Sequence, residues 1–346
     1  MSETAQRKRV LITGITGMDG YHLSSFLISQ RGDMIYGLVR RNSACNLNTI
    51  ADRRDCFNLI YGDITDQSSL EHALEESQPD EIYHLAGQSH VRVSFDVPES
   101  TLEITGMGTL KLLEAVRRVC KNSPKIYLAQ SSEMFGDRTT EGVLGFQNES
   151  TPLLPASPYG SAKVLSYNIG RIYRQSYGMF ICNGILFNHE SPYRGANFVT
   201  QKIAKGVADI VTGRASRIVL GNLDALRDWG YAGDYVQAMY KMLQHDVPDD
   251  YVVATGATYS VRHFAHFAFK CVGLNYTDYV DYDAKYTRPY EVPYLRGDYS
   301  KIRTVLGWEP AVSFGQLVEM MVLHQLKKVG AESSFIGLST KQESEV

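Results

Sequence analysis

The chain has no apolar run long enough to cross a bilayer. Its longest, such as residues 179–187, fall far short of the ~20 residues that a membrane helix needs. Neither charge dominates: 35 basic residues against 38 acidic ones leave a formal charge of −3, so electrostatics make no case for nucleic acid. Cysteine is sparse and odd in number, five in all, at positions 45, 56, 120, 182 and 271. None stands in a CxxC or metal-ligand spacing. The first nine residues lack the apolar core of a secretory signal. These absences predict a metal-free cytoplasmic protein with no membrane partner, in which the sequons at Asn148 and Asn275 are chance matches. Low-complexity, collagen-like and disordered classes are excluded by ordinary Gly and Pro counts of 29 and 11. What is present, 44% hydrophobic residues in 346, suffices for a large α/β domain with a smaller appendage.

The first half alternates short β-rich runs with helical patterns. Strands are predicted at Arg9–Thr13, Met34–Val39, Phe57–Tyr61, 81–85 and 125–129. Helices are predicted through Leu23, Phe26 and Leu27, over 66–76 with Asp66 as cap, and over 101–120. This rhythm predicts βαβ units and a doubly wound parallel Rossmann sheet with both faces covered. After Gln130 it breaks: residues 137–158 are loop-like with Pro152, Pro155 and Pro158, and a helix then starts at Tyr159. An apolar strand over 180–187 follows, and beyond it lies an irregular second lobe. We expect a dinucleotide-binding domain over 8–187, with part of 230–265 returning to it. A smaller α/β substrate lobe would take 188–229 and 266–330, leaving 331–346 as a tail.

Gly14, Gly17 and Gly20 follow the first strand and open the first helix. Glycines three apart let the backbone turn tightly against a pyrophosphate whose charge rests on the helix N-terminus. This GxxGxxG spacing resembles the extended short-chain dehydrogenase/reductase superfamily. The second strand ends in Arg40-Arg41 rather than in an acid. Two guanidinium groups suit a 2′-phosphate, so NADP is expected over NAD. Asp63-Ile64, after the third strand, stands where such folds hold the adenine. Leu85, Ala86, Gln88 and Ser89, after the fourth, would line the far half of the cofactor site.

Tyr159 and Lys163 are four apart at a helix start and share a face. An ammonium beside a phenol favours phenolate, which can take a hydroxyl proton as hydride leaves. Ser131 closes the fifth strand, where open α/β sheets bind ligands. Glu133 lies two residues on, and an extended segment would aim both side chains into one cleft. Alcohol oxidation needs only Tyr, Lys and Ser; the added carboxylate suggests a second proton transfer, α to a new ketone.

With these residues in place, the sequence resembles the GDP-mannose 4,6-dehydratase family of extended short-chain dehydrogenases. The resemblance runs from Val10 to about Pro310. The runs 187–192 (FNHESP), 221–225 (GNLDA) and 227–229 (RDW) are its most specific parts, with Arg288-Pro289, Glu291 and 306–308 (LGW) completing it. The resemblance implies catalysis by Ser131, Glu133, Tyr159 and Lys163. It implies NADP contacts from Thr16, Met18, Asp19, Asn42, His189 and Arg194 besides the residues above. Ser89, Asn188, Val199, Lys202, Arg227, Arg288 and Glu291 would hold the GDP-sugar with Ser131 and Glu133. It also implies a homodimer or homotetramer in which loop 40–46 crosses an interface. Ser131 replaces the family's usual threonine. Phe135, Ser100, Tyr21-His22 and Ala44-Cys45 also depart from its pattern, which keeps a GDP-manno-heptose open as substrate. A related epimerase or reductase is the other alternative.

Overall fold

The computed structural model describes residues 7–41, 46–137, 145–284 and 289–338. Asn42, Ala44, Cys45 and Arg288, which carry expectations above, lie outside the described residues. The chain runs β1 (Arg9–Thr13), α1 (Met18–Arg31), β2 (Met34–Val39), a 3₁₀ segment (Asn46–Cys56), β3 (Phe57–Tyr61), α2 (Gln67–Ser77) and β4 (Glu81–His84). It continues through α3 (Val91–Asp96), α4 (Pro98–Thr101), a π-helical turn (Leu102–Met107), α5 (Gly108–Val119) and β5 (Lys125–Ser131). After a 3₁₀ turn (Ser132–Met134) come α6 (Pro158–Tyr177), β6 (Ile181–Leu186), β7 (Asn188–Glu190) and α7 (Val199–Val211). The remainder comprises β8 (Ile218–Leu220), β9 (Leu226–Arg227), β10 (Trp229–Tyr231), α8 (Ala232–Gln244), β11 (Asp250–Val253), β12 (Tyr259–Ser260), α9 (Val261–Lys270), β13 (Val280–Tyr282), α10 (Ser300–Leu306) and α11 (Phe314–Lys328).

The six expected strands, joined by β11, assemble into a seven-stranded sheet, β11-β6-β5-β4-β1-β2-β3, whose pairs are all parallel. Strand order reverses between β1 and β4, which opens a crevice at the carboxyl ends of these strands. The sheet needs apolar cover on both faces. Leu70, Leu74, Leu112 and Val116 supply one side; Leu23, Leu27, Met239 and Met242 supply the other. Ile302 and Trp308 also join this second cluster, although the sequence suggested the smaller lobe for them. The indole Nε1 donates to the Asp234 carbonyl at 2.9 Å. The smaller lobe has its own core from α7, α9 and α11, with Trp229, Phe264 and Phe314 in ring contact.

The helix expected over 101–120 is interrupted by the π turn. Tertiary contact accounts for the break. Gly106 lies so close to Leu165 of α6 that a Cβ there would stand 2.8 Å from its Cδ2. The same turn aims Thr105 Oγ1 at the amide of Gln88, 3.1 Å away. Opposite it, α6 starts cleanly: Ser157 caps the Gly160 amide at 3.0 Å and Pro158 fills the first turn. Its outer half is tied to the sheet edge by Asp250, which takes two bonds from Arg174 at 2.9 and 3.1 Å. Tyr167 and Asn183 donate to the same carboxylate at 3.0 and 2.9 Å.

Candidate active site

The crevice continues into a cleft of about 1150 Å³ between the two lobes. Pockets for a single small ligand run to roughly 300–1,000 Å³, so this cleft lies just above their usual size. Its floor is the β1–α1 turn. Gly14 has φ 77°, and a Cβ on it would stand 2.9 Å from the Ala86 amide nitrogen. At Gly20 a Cβ would meet the Ile15 backbone at 2.5 Å. Both positions therefore require glycine. Gly17 caps α1 without any side-chain bond to the first-turn amides, a geometry that suits an anion.

Gly14, Thr16, Gly17, Met18, Asp19, Gly20, Arg40, Ile64, Leu85, Ala86, Gln88 and Ser89 all line the cleft. Arg41 is exposed and stands outside the lining. Asp63 is also absent from it. Its Oδ1 accepts from the Thr65 amide at 2.9 Å and the Thr65 hydroxyl at 2.8 Å. Gln88 braces its own loop, accepting from the His90 amide at 2.6 Å and donating to Thr101 Oγ1 at 3.0 Å.

Ser131, Glu133, Tyr159 and Lys163 come together on one wall, although not as the sequence suggested. Residues 132–134 form a 3₁₀ turn rather than an extended segment, so alternation does not bring Glu133 to the cleft. The turn itself does, with Ser131 Oγ accepting from the Glu133 amide at 3.2 Å. Ser131 also hydrogen-bonds Tyr159.

Burial, not Lys163, dominates the phenol. Burial pushes Tyr159 up to about 12; the charges of Glu133 and Asp19 reinforce this, while the Ser131 bond and Arg194 oppose it. Lys163 Nζ is 5.9 Å from the Tyr159 ring centre and donates to the Ala129 carbonyl at 2.6 Å. Burial pulls Lys163 down to about 8, against the charge of Asp19.

His189 Nε2 is 3.0 Å from both Asp19 carboxylate oxygens, and its Nδ1 is 2.8 Å from the Phe187 carbonyl. Two acceptors favour an imidazolium. Burial lowers the His189 pKa, but the Asp19 charge and bond and the Phe187 carbonyl outweigh it, leaving the pKa raised. The ring stacks on Tyr235 at 4.7 Å. Arg194, also lining the cleft, lies 3.6 Å over the Phe198 ring, and its Nε is 3.1 Å from Glu190.

On the other side stand Asn188, Val199, Lys202, Arg227 and Glu291. Arg227 and Glu291 face each other at 2.6 Å, and the Asn188 Oδ1 is buried with no hydrogen-bond partner. Next to Arg227, buried Asp228 ties three segments together by accepting from the amides of Thr255, Gly256 and Gly297. Sequence reasoning gave Asp228 no role, and the RDW run was its only signal. It also missed His90, Asn197 and Phe198, which line the cleft. The departures at Tyr21, His22, Ser100 and Phe135 stand outside the lining. Among the described residues, no group of His, Cys, Asp and Glu could hold a metal, and no helix is long and apolar enough to cross a membrane.

A family profile described as GDP-mannose 4,6 dehydratase matches residues 11–321. The Arabidopsis thaliana protein named GDP-mannose 4,6 dehydratase 2 is 47% identical over 341 residues, covering 95% of this chain and 90% of that one. The Homo sapiens GDP-mannose 4,6 dehydratase is 45% identical over 343 residues, 91% of each chain. The Vibrio cholerae GDP-mannose 4,6-dehydratase is 42% identical over 359 aligned positions, covering 93% and 94%. Among solved structures, DesIV, a dTDP-glucose 4,6-dehydratase from Streptomyces venezuelae with NAD and TYD bound, matches with a TM-score of 0.81 at 23% identity, covering 93% and 98%. RMD from Pseudomonas aeruginosa, complexed with NADPH, matches at 0.77 and 23%, covering 93% and 99%. At such identity these structures share the fold alone.

Proposed function

The chain belongs to the GDP-mannose 4,6-dehydratase family, and from that premise we propose that it converts GDP-D-mannose to GDP-4-keto-6-deoxy-D-mannose with NADP. The observation that carries this reading is the meeting of Ser131, Glu133, Tyr159 and Lys163 on one wall of a two-lobed cleft. The glycine turn, Arg40 and the loop after β4 suit the dinucleotide: no side chain intrudes at Gly14 or Gly20, and Arg40 can meet a 2′-phosphate. Bound there, NADP would supply the redox chemistry, as acceptor and then donor of one hydride.

The protein handles the protons. Tyr159 takes the C4 hydroxyl proton as the ketone forms. That ketone acidifies C5, and Glu133 removes the C5 proton. The C6 hydroxyl then leaves as water with a proton from Glu133, while Ser131 orients the departing group. C5 takes a proton as C6 is reduced, balanced by the proton that Tyr159 took and releases to reset the cleft, so water is the only loss and the reaction is a carbon–oxygen lyase reaction. Asn188, Lys202, Arg227 and Glu291 hold the nucleotide-sugar: the cations suit pyrophosphate, and the Asn188 Oδ1 lacks a partner. Glu133 disfavours a 4-epimerase or a simple reductase, since neither needs a base at C5.

The enzyme works in the cytoplasm as a dimer or tetramer. Leu165 and Ile172, 36% and 49% exposed on α6, support association. Mass spectrometry of products from GDP-mannose and GDP-manno-heptose, run side by side, tests the assignment. A product 18 mass units lighter from GDP-mannose is expected; no 4-keto product from it would refute the reading.

A further inference from the structure

The segment 191–198 joins β7 to α7 and crosses the crevice where strand order reverses. Its inner side carries Arg194, Asn197 and Phe198 into the cleft. Both of its ends are tied down, and to opposite banks. On the β1 bank, the Tyr193 ring stacks on Tyr21 of α1 at 3.7 Å and 28°, and the two hydroxyls are 2.6 Å apart. The guanidinium of Arg53 lies 4.0 Å over the Tyr21 ring and donates to the Tyr21 carbonyl at 3.3 Å. On the β4 bank, His90 Nε2 is 3.3 Å from the Asn197 carbonyl.

Tyr21 directly follows the glycine turn, and Tyr193 directly precedes Arg194. The stack therefore joins the residues next to both. Neither tyrosine lines the cleft, so neither is placed to touch a ligand there. Tyr193 is 37% exposed, and the fold does not depend on it for core volume. An aromatic pair at the outer end of a bridging segment trades little stability but restrains where the segment lies.

We propose that Tyr21 and Tyr193 are positioning residues whose stack, backed by Arg53, straps segment 191–198 across the cleft and sets how long the dinucleotide is retained. The inference rests on the cofactor reading above only in requiring that a dinucleotide occupies the β1–α1 turn. An aromatic pair contributes ~0.5–1.5 kcal/mol beyond burial, so each alanine variant should speed dinucleotide release roughly twofold to twelvefold.

The test measures release of bound NADPH, and separately NADH, by nicotinamide fluorescence in wild type, Tyr21→Ala, Tyr193→Ala and the double variant. Release should be faster in each single variant and no faster still in the double, because either change undoes the same stack. Tyr193→Phe keeps the ring and should restore most of the retention. The apparent KM for NADP should rise, while saturating NADP recovers kcat. Unchanged release, strictly multiplicative single effects, or a fall in kcat that saturating NADP does not recover would each overturn the strap. A preference for NADH in every variant would refute the NADP assignment, whereas the ratio of variant to wild-type release would still decide the strap.

Discussion

Replacing Glu133 by Gln should move the two halves of the reaction in opposite directions. Glu133 is 6% exposed, and its amide is nearly isosteric, so folding and cofactor binding should survive. The amide cannot act as a base at C5, and loss of a general base costs ~10²–10⁴-fold. That corresponds to about 3–5 kcal/mol in the barrier to dehydration. The first step should respond differently. Burial, with the Glu133 charge adding to it, holds Tyr159 up at about 12. Removing that charge makes phenolate easier to form, so the pH profile of C4 oxidation should shift to lower pH.

A single turnover with enzyme in excess should therefore leave reduced nicotinamide bound beside a 4-keto sugar that keeps its 6-hydroxyl. If that oxidised intermediate is unfavourable at equilibrium, little absorbance will build up. Exchange of the C5 hydrogen with solvent deuterium is then the decisive readout. Tyr159→Phe provides the contrast, since no reduced nicotinamide should form at all. Wild-type C5 exchange and dehydration in Glu133→Gln would show that another group is the base. A shift of C4 oxidation to higher pH would refute the electrostatic part.

Arg40→Ser should weaken NADP binding by about tenfold to a hundredfold in calorimetry and NAD binding far less, as charge-assisted bonds contribute ~1.5–3 kcal/mol each. Arg41→Ser, outside the cleft lining, should do less; equal losses for both nucleotides would refute the 2′-phosphate assignment. Asp250→Ala strips Arg174, Tyr167 and Asn183 of their acceptor and should cost ~3–5 kcal/mol in denaturant titration. A cost below ~1 kcal/mol would contradict the pairing. His189 has a raised folded pKa, so its contribution is complete below the unfolded value of 6.5 and is lost as pH rises through the folded pKa. Melting temperatures followed upward from near that value should fall in the wild type, and His189→Gln should flatten that part of the profile.

The features readable in the sequence were those with a local cause. Strands buried on both faces are near-continuous apolar runs, so Arg9–Thr13 and Met34–Val39 declare themselves. The glycine spacing encodes a steric demand met within seven residues, and Tyr159 and Lys163 share a helix face by period alone. What escaped depends on partners distant in the chain. The π turn lies where Gly106 meets Leu165. Ile302 and Trp308 join the sheet core, where Trp308 bonds Asp234, 74 residues upstream. The raised pKa of Tyr159 was misread because burial is a property of the assembled cleft, and it exceeds any effect of a lysine held on the Ala129 carbonyl.

That raised value has a chemical consequence on the proposed reading. A phenol near 12 beside a lysine near 8 stays protonated in the resting cleft. Among the charges around it, Arg194 lowers the phenol and Glu133 pushes the other way. Oxidised nicotinamide carries a positive charge and the reduced form does not. In a buried site such a charge favours phenolate strongly. Tyr159 would then act as a base more readily while an oxidised dinucleotide is present, and would hold its proton once the sugar is a ketone. The burial that opposes phenolate thereby ties the first deprotonation to the redox state of the cofactor, and it keeps the phenol from competing with Glu133 for the proton at C5.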